Sequence, residues 1–295
     1  MPAPRIALFT TVVLLLAGCA TGGYRTAVRP AAHTVVQARQ AEFTETELAL
    51  IEENCPFGRP KVGAGFGPTR FVIRNGYVLE HSSTDRIPIW VCEGVTVAEL
   101  GGNVPRKNRF KADPKLPAGE RAELSDYAGS GFDRGHMAPA GNQTVDTTLK
   151  YETFYLSNMA PQAPLMNQRI WETLEGRVRD WLRARGGGQV ITGGFFFDPE
   201  EEDAATADGL IDYGIIGNGV AVPTHFYKVV VARENGAPKA IAFVMENRTY
   251  PAPFDFSAFI RSVDWIEERA GVDFMPDLDA DEEEDLEMPT PALWQ

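Results

Sequence analysis

The sequence predicts an α+β domain built on a central, mainly antiparallel sheet flanked by helices. Short β-branched and aromatic runs between residues 70 and 92 are separated by Asn75-Gly76 and by polar turns, a pattern typical of β-hairpins. After Pro164, apolar residues recur mostly at spacings of three and four until glycines 186–188, which predicts one long helix. Three later apolar runs predict buried strands, at residues 189–197, 225–231 and 240–245.

Neither an internal repeat nor a linker interrupts residues 69–270, so we predict a single domain, over residues 44–272. A signal segment (1–18) and a flexible tether (19–43) precede it, and an acidic, disordered tail (273–295) follows it. With 295 residues, of which 44% are hydrophobic, the chain is long enough to bury a sizeable core.

The amino-terminal segment has the pattern of a targeting sequence. Arg5 precedes an apolar run from Ile6 to Leu16, which is too short to span a bilayer comfortably. Leu16-Ala-Gly-Cys19 resembles the lipobox of bacterial lipoproteins, and this resemblance implies cleavage before Cys19, lipidation of that cysteine and attachment to a bacterial membrane, facing the periplasm or the cell surface. The alternative is an ordinary cleaved signal; both predict export.

Charge is distributed unevenly. The formal net charge is −13, which by itself argues against a nucleic-acid partner, because Lys and Arg drive phosphate binding. Acids, however, are concentrated in two segments, at 198–203 and 277–287. A basic run lies elsewhere and allows a local positive field; its members are Arg106, Lys107, Arg109, Lys111 and Lys115.

The chain contains three cysteines. If Cys19 carries lipid, Cys55 and Cys92 remain as a pair in an oxidising compartment, which predicts a disulfide closing a long loop. A metal-binding or catalytic thiol is the alternative, but neither a Cys-x-x-Cys motif nor a nearby histidine supports it.

Four consecutive residues concentrate chemical groups: Asp133, Arg134, Gly135 and His136. An acid, a guanidinium, a glycine and an imidazole in succession are unusual for a packed core, and they predict an active site. The alternative is a satisfied structural turn made by the Asp-Arg pair and the histidine.

Two positions on the predicted helix bear on this choice. Asn167 lies in its first turn, where free backbone N–H groups and the helix dipole favour phosphate. Glu175 follows eight residues later, roughly 12 Å along an α-helix. Because helical side chains lean toward the amino terminus, Glu175 could reach water around a metal at Asn167, in an outer-sphere role.

Three motifs resemble the DNA/RNA non-specific endonuclease family. In order, they are Asp133-Arg-Gly-His136-Met-Ala-Pro-Ala, Phe154-Tyr-Leu-Ser-Asn-Met-Ala-Pro-Gln162 and Asn167-Gln-Arg-Ile-Trp171-Glu-Thr-Leu-Glu175. Asn167 comes 31 residues after His136, as in the family. Weaker matches extend the resemblance over most of the predicted domain. The resemblance implies the ββα-metal nuclease core within the α+β domain.

The resemblance also implies catalytic roles. His136 would be the general base that activates water, and Asn167 would be the only protein ligand of a Mg²⁺ ion, for which Mn²⁺ could substitute. Arg134 would clamp the phosphate, and Glu175 would hold metal-bound water. An arginine of the basic run would contact substrate. We choose Arg109, although Arg106 aligns with the family almost as well.

Supporting residues follow from the same motifs. Asp133 is expected to fix the local loop and Arg134 rather than to meet substrate. Asn158 and Gln162 are expected to brace the loop beside the site. His225, at the start of a predicted strand, is interpreted as a hydrogen-bonded core histidine rather than as a second catalyst.

The functional hypothesis is an exported, membrane-tethered, Mg²⁺-dependent endonuclease that cuts DNA and RNA with little sequence preference. Two alternatives stay open at this point. One is a narrower phosphodiesterase or exonuclease that uses the same site, and the other is a lipoprotein that binds nucleic acid or a partner protein without cutting. The oligomeric state is also open, with a homodimer as one option.

Overall fold

The computed structural model describes residues 24–28, 43–202 and 210–295. The signal segment, Cys19 and most of the tether lie outside these residues. Within them, no helix has the length and apolar character needed to cross a membrane.

The α-helices and strands alternate irregularly along the chain. The α-helices are α1 (Glu45–Asn54), α2 (Leu124–Tyr127), α3 (Thr147–Glu152), α4 (Glu172–Arg185), α5 (Val263–Ala270) and α6 (Ala280–Glu287). The first seven strands are β1 (Tyr24–Val28), β2 (Lys61–Val62), β3 (Thr69–Ile73), β4 (Val78–Ser82), β5 (Pro88–Thr96), β6 (Asp133–His136) and β7 (Met159–Gln162). The later strands are β8 (Gly187–Phe195), β9 (Leu210–Ile216), β10 (Val220–Val222), β11 (His225–Glu234), β12 (Ala237–Glu246), β13 (Ile260–Arg261) and β14 (Val272–Asp273).

Seven strands form the central sheet, in the order β13-β12-β11-β8-β5-β4-β3, and every neighbouring pair is antiparallel. The predicted α+β class with an antiparallel sheet is confirmed. The Asn75-Gly76 turn is confirmed as well, because the Arg74 N–H donates to the Tyr77 carbonyl (2.9 Å) across it and β3 pairs with β4.

The sheet separates two hydrophobic cores. On one face, α4 packs Leu174, Val178, Trp181 and Leu182 against the sheet, together with β6 and β7. On the other face lie α1, α5 and α6. Alternation along β11 sends Phe226 to the first core and Tyr227 to the second. The first face, with α4, β6 and β7, is called the catalytic face below, and the second is called the acidic face.

Three expectations about the chain ends and the cysteines are wrong. Residues 24–28, predicted as tether, form β1, which pairs with β9. The tail, predicted to be disordered, contains the helix α6. Asp279 caps its amino terminus, where the Asp279 carboxylate accepts the Glu282 N–H (3.0 Å). Apolar anchors explain its order: Leu286 is buried on the acidic face, and the ring of Trp294 lies 6.0 Å from that of Trp181 on the catalytic face.

The predicted disulfide is absent from the described structure. Cys55 and Cys92 are buried free thiols, although their side chains are close enough to interact. The Cys92 thiol donates to the Asn54 carbonyl at 3.2 Å. Burial, followed by the neighbouring Cys55, raises the pKa of Cys92 well above its ordinary value, so the thiolate that would start disulfide exchange is strongly disfavoured.

Candidate active site

A two-stranded hairpin presents the Asp-Arg-Gly-His tetrad. Strand β6 pairs antiparallel with β7, with Asp133 opposite Gln162 and His136 opposite Met159. The fully buried Gln162 side chain crosses directly over Gly135, where any Cβ would collide with it. The close approach favours glycine, because a Cβ here would force the Gln162 side chain to move; the buried amide oxygen and nitrogen of Gln162 have no hydrogen-bond partner among the described residues.

Asn158 fixes the loop that follows the tetrad. Its Oδ1 accepts the Ala138 N–H (2.9 Å), and its Nδ2 donates to the carbonyls of Ala138 and Thr153, both at 2.9 Å. The side chain is fully buried, and these bonds use its acceptor and both of its donors. These bonds tie Asn158 to Ala138, in the loop that follows the tetrad, and to Thr153.

His136 is buried at the end of β6 and lies between aromatic rings. The ring centroids of Phe110 and Phe154 are 5.6 and 4.9 Å from its imidazole, and its Nε2 has no hydrogen-bond partner. Burial, then the charges of Arg106 and Arg134, lowers its pKa to about 3. The imidazole is therefore neutral near pH 7, and Nε2 can accept a proton when Nδ1 carries the ring hydrogen.

Asn167 lies in a π-helical segment, Met166–Trp171, that runs directly into α4. Single π turns inside α-helices often occur at functional sites. The sequence pattern predicted an α-helix here, so the roughly 12 Å separation from Glu175 assumed the wrong local geometry. The π segment places Asn167 next to β6.

Asp133 joins the hairpin to this segment. Its Oδ2 accepts hydrogen bonds from Asn167 Nδ2 (2.9 Å) and Gln168 Nε2 (2.7 Å). Asp133 therefore holds Asn167, whereas the sequence interpretation had it fix Arg134. Because an ionised carboxylate only accepts, the amide nitrogen of Asn167 must face Asp133, and its Oδ1 is left to bind another group.

Two arginines of the site lack acidic partners. The guanidinium of Arg134 lies 4.2 Å from the Phe110 ring centroid, and that of Arg106 lies 5.6 Å from the Phe154 centroid. In the described part of the chain, neither forms a salt bridge. Guanidinium groups that lie against aromatic rings and have no acidic partner are suited to binding phosphate; Arg106 Nε donates only to the neutral Asn108 Oδ1 (3.1 Å).

The structure favours Arg106 over Arg109 as the additional arginine. The charge of Arg106 lowers the pKa of His136 and also acts on Glu175. Arg109 instead lies 4.2 Å from the Tyr151 ring centroid and lines a separate cavity with Lys111. Arg109 therefore does not fit the geometry of the site. The sequence could not distinguish the two arginines, because irregular chain has no periodicity that indicates side-chain directions.

Glu175 is half-buried on α4. Burial raises its pKa, and Lys228, Arg179 and Arg106 oppose that rise. Arg106 acts on both Glu175 and His136, and Asp133 ties Asn167 to the strand that carries His136. The structure therefore brings His136, Arg134, Asn167 and Glu175 into one region.

Sequence reasoning missed Lys228 and Glu93 behind the site. Lys228 is almost fully buried on β11, where its Nζ donates to Thr192 Oγ1 (2.6 Å) and lies 5.0 Å from the Trp171 ring centroid. Burial lowers its pKa, whereas Glu175 and Glu93 raise it. The signal in the sequence was one lysine inside an otherwise apolar strand.

His225, interpreted from the sequence as a core histidine, lies apart from this constellation. It packs against Phe195 and Phe197, each with a ring centroid 5.4 Å away. Its Nδ1 is 3.0 Å from Thr224 Oγ1. The structure gives it the contacts of a packed, hydrogen-bonded residue.

The donor atoms present fit a hard divalent cation. Asn167 Oδ1 is an uncommitted amide oxygen that Asp133 orients, and Glu175 supplies a carboxylate in the same region. Such oxygen donors suit a metal that keeps most of its water ligands and binds phosphate, as Mg²⁺ does.

Comparisons with known proteins identify the family. The family model of the DNA/RNA non-specific endonucleases matches residues 59–281. The chain is 36% identical over 214 residues to nuclease C1 of Cunninghamella echinulata var. echinulata, covering 71% of this chain and 84% of that protein. It is also 36% identical over 208 residues to mitochondrial endonuclease G of Homo sapiens, covering 70% of this chain and 69% of that protein.

A solved structure supports the same assignment. The chain superposes on a structure of the EndoG/EndoGI complex with a TM-score of 0.70 and 31% identity, covering 79% of this chain and 94% of that chain. The fold, the motif order and the family match agree on a nuclease that hydrolyses phosphodiester bonds with the help of a divalent metal. The chain therefore belongs to the DNA/RNA non-specific endonuclease family.

Proposed function

We propose that the protein is an exported, lipid-anchored, Mg²⁺-dependent endonuclease that hydrolyses DNA and RNA with little sequence preference. One observation carries the mechanism: a buried, neutral His136 with a free Nε2 lies beside guanidinium groups that have no acidic partner in the described residues. A proton acceptor next to a phosphate-binding surface is the arrangement that phosphodiester hydrolysis needs.

Each side chain has one task in the proposed mechanism. His136 Nε2 takes a proton from the water that attacks phosphorus. Arg134 and Arg106 donate hydrogen bonds to phosphate oxygens and hold the substrate in line. Asn167 Oδ1 would hold a Mg²⁺ or Mn²⁺ ion, which would stabilise the negative charge that develops on the phosphate and the departing 3′ oxygen. Glu175 accepts hydrogen bonds from water beside that amide.

Weak sequence preference follows from the type of contact. The proposed contacts are to phosphate, which positions a nucleic acid but carries no base information. The positive groups are local, so an acidic chain with a net charge of −13 can still attract a polyanion at short range.

Digestion of closed circular DNA tests the proposal. With Mg²⁺, the wild-type protein should nick and then linearise supercoiled plasmid, and it should degrade RNA. His136→Ala and Asn167→Ala should each lower kcat by roughly 10²- to 10⁴-fold, because each removes a group that acts in the transition state. His225→Ala is the matched control and should leave the rate near that of the wild type.

Two outcomes would contradict the proposal. Equal rates for the wild type, His136→Ala and Asn167→Ala would remove the site assignment. Degradation of linear DNA with closed circular DNA left intact would instead indicate an exonuclease.

Export and anchoring rest on the sequence pattern of residues 1–19. Cleavage before Cys19 and acylation of that residue would tether the nuclease domain to a membrane, and more than one acyl chain would make the anchor stable. Radiolabelled palmitate should enter the wild-type chain expressed in bacteria and not the Cys19→Ser variant. Equal labelling of both chains would exclude the anchor.

A further inference from the structure

Three carboxylates meet on the acidic face, far from the tetrad in the chain. Asp264 and Glu267 lie one turn apart on α5, and Glu287 is the last residue of α6. One carboxylate oxygen of each lies within 4.8 Å of the other two. The group therefore connects the end of the acidic tail to the folded domain, and it is called the tail cluster below.

Glu287 brings a buried carboxylate with an unsatisfied oxygen to the tail cluster. Glu287 is only 3% exposed, and its Oε1 has no hydrogen-bond partner. Glu267 Oε1 accepts the Phe274 N–H, so its other oxygen is free. A buried carboxylate without a partner is costly, which sets Glu287 apart from the many solvated acids of the tail.

Among the described residues, no basic side chain pairs with the tail cluster. In the described part of the chain, none of its three members forms a salt bridge. The charged groups that act most strongly on Glu287 are all acids, namely Glu267, Glu283, Asp264 and Asp273. The nearby Lys61 is directed to Asp277, at 3.4 Å. The cluster thus lacks positive charge at a place where the tail must dock.

We propose that the tail cluster is a Ca²⁺ site that fastens the acidic tail to the domain. Carboxylate oxygens from two separate helices suit Ca²⁺, which accepts irregular coordination by six to eight oxygens, some of them water. Mg²⁺ fits less well, because it demands a near-ideal octahedron with short bonds.

Ca²⁺ binding at the tail cluster would affect the catalytic face through the residues that follow α6. After α6, the tail crosses to the other core, where Trp294 packs on Trp181 and the Arg185 guanidinium lies 4.3 Å from the Trp294 ring centroid. Trp181 and Arg185 belong to α4, the helix that also carries Glu175. Ca²⁺ would therefore hold a strap that buttresses the catalytic helix from behind.

Thermal unfolding tests the Ca²⁺ site without any measurement of nuclease activity. All variants should carry Asn167→Ala, which removes the proposed active-site ligand, so the result is independent of the proposed function. In this background, Ca²⁺ about 100-fold above its Kd should raise the Tm by about 5 °C or more. Adding Glu287→Gln should abolish the rise, and so should Asp264→Asn, which changes a more accessible ligand if Glu287→Gln fails to fold.

Asp285→Asn is the matched control, because it removes one exposed carboxylate from the same helix; it should keep the full Ca²⁺ response. Titration calorimetry should find one Ca²⁺ per chain in the Asn167→Ala protein and none after Glu287→Gln. Absence of a Ca²⁺ response in the Asn167→Ala protein, or an equal response with and without Glu287→Gln, would overturn the proposal. An increase of Tm by Glu287→Gln with no Ca²⁺ response would show that protons satisfy the cluster instead.

Discussion

On the catalytic face, Arg106 and Arg134 have no acidic partner among the described residues, whereas on the acidic face Asp264, Glu267 and Glu287 have no basic one. Arg134 lies on β6, and the three acids lie on α5 and α6, whereas Arg106 lies on exposed irregular chain. The difference teaches that a net charge of −13 describes neither face. Local charge suits the first to a polyanion and the second to a cation.

On the catalytic face, the buried Lys228 supplies a positive charge close to two acids. This buried lysine acts on Glu93 and Glu175, a role for which the acidic face has no equivalent in the described residues. Lys228→Met should lower the free energy of unfolding by about 3–5 kcal/mol, because it leaves two half-buried or buried acids without a cation. It should also lower kcat, since Glu175 loses a nearby positive charge that favours its ionised form. Urea unfolding and plasmid digestion measure the two effects.

Glu93 provides a way to separate these effects. Burial, partly offset by Lys228 and the hydrogen bond from Asn142, raises the pKa of Glu93 to about 8. Glu93→Gln keeps an oxygen for the Asn142 bond (2.9 Å), so it should restore part of the stability of Lys228→Met but not its kcat. Lys239→Met, at an exposed lysine of β12, should change neither quantity. No loss of stability in Lys228→Met would show that the lysine is dispensable.

Asp133→Asn tests a second difference between the faces. On the catalytic face, the acid Asp133 orients the neutral ligand Asn167, whereas on the acidic face the acids themselves are proposed to bind the cation. An asparagine at 133 can donate as well as accept, so it no longer forces the Asn167 amide into one orientation. We expect an apparent Mg²⁺ affinity 10- to 100-fold lower, the usual range for loss of an outer-shell partner, with kcat at saturating Mg²⁺ closer to that of the wild type.

Gln168→Ala is the control for Asp133→Asn, because it removes the other donor to the same carboxylate oxygen and leaves the Asn167 bond. It should shift the Mg²⁺ dependence little. Identical Mg²⁺ titrations for the wild type and Asp133→Asn would show that the Asp133 bond does not orient the ligand.

Local patterns were sufficient for much of the fold and the tetrad. The Asn75-Gly76 turn, the alternation of strands and the Gly186 helix end, where φ is 83°, depend on neighbouring residues, and so they could be read directly. Gly135 was recognisable within the tetrad, although its reason was not, because the Gln162 side chain that demands it arrives from another strand.

The remaining features depend on contacts between distant segments. The partners of Lys228 come from β5, β8 and α4, so its periodicity within β11 could not reveal them. The π segment at Asn167 left no sign in the spacing of apolar residues, and its contact with β6, through Asp133, joins residues 34 positions apart in the chain. In the tail, many acids masked the few apolar anchors, such as Leu286 and Trp294, that decide its fold. The order of the cysteines gave no side-chain geometry, and hence the disulfide prediction failed.

Arg106→Gln should lower kcat/KM, because it removes a proposed phosphate contact, and it should also produce a smaller effect, a change in the pH dependence of catalysis. Burial, then Arg106 and Arg134, depresses the pKa of His136 from 6.5 to about 3. A general base works when unprotonated, so kcat/KM should persist as pH falls below 6.5 and decline only as the folded-state pKa is approached. Removing the charge of Arg106 should move that acid limb upward by less than about one pH unit, since solvent screens this exposed side chain. Lys107→Gln is the control, because it removes an equal, neighbouring charge that has no such effect on His136. The measurement is the pH profile of kcat/KM at constant ionic strength. Equal shifts in both variants would assign the change to the overall field instead of Arg106.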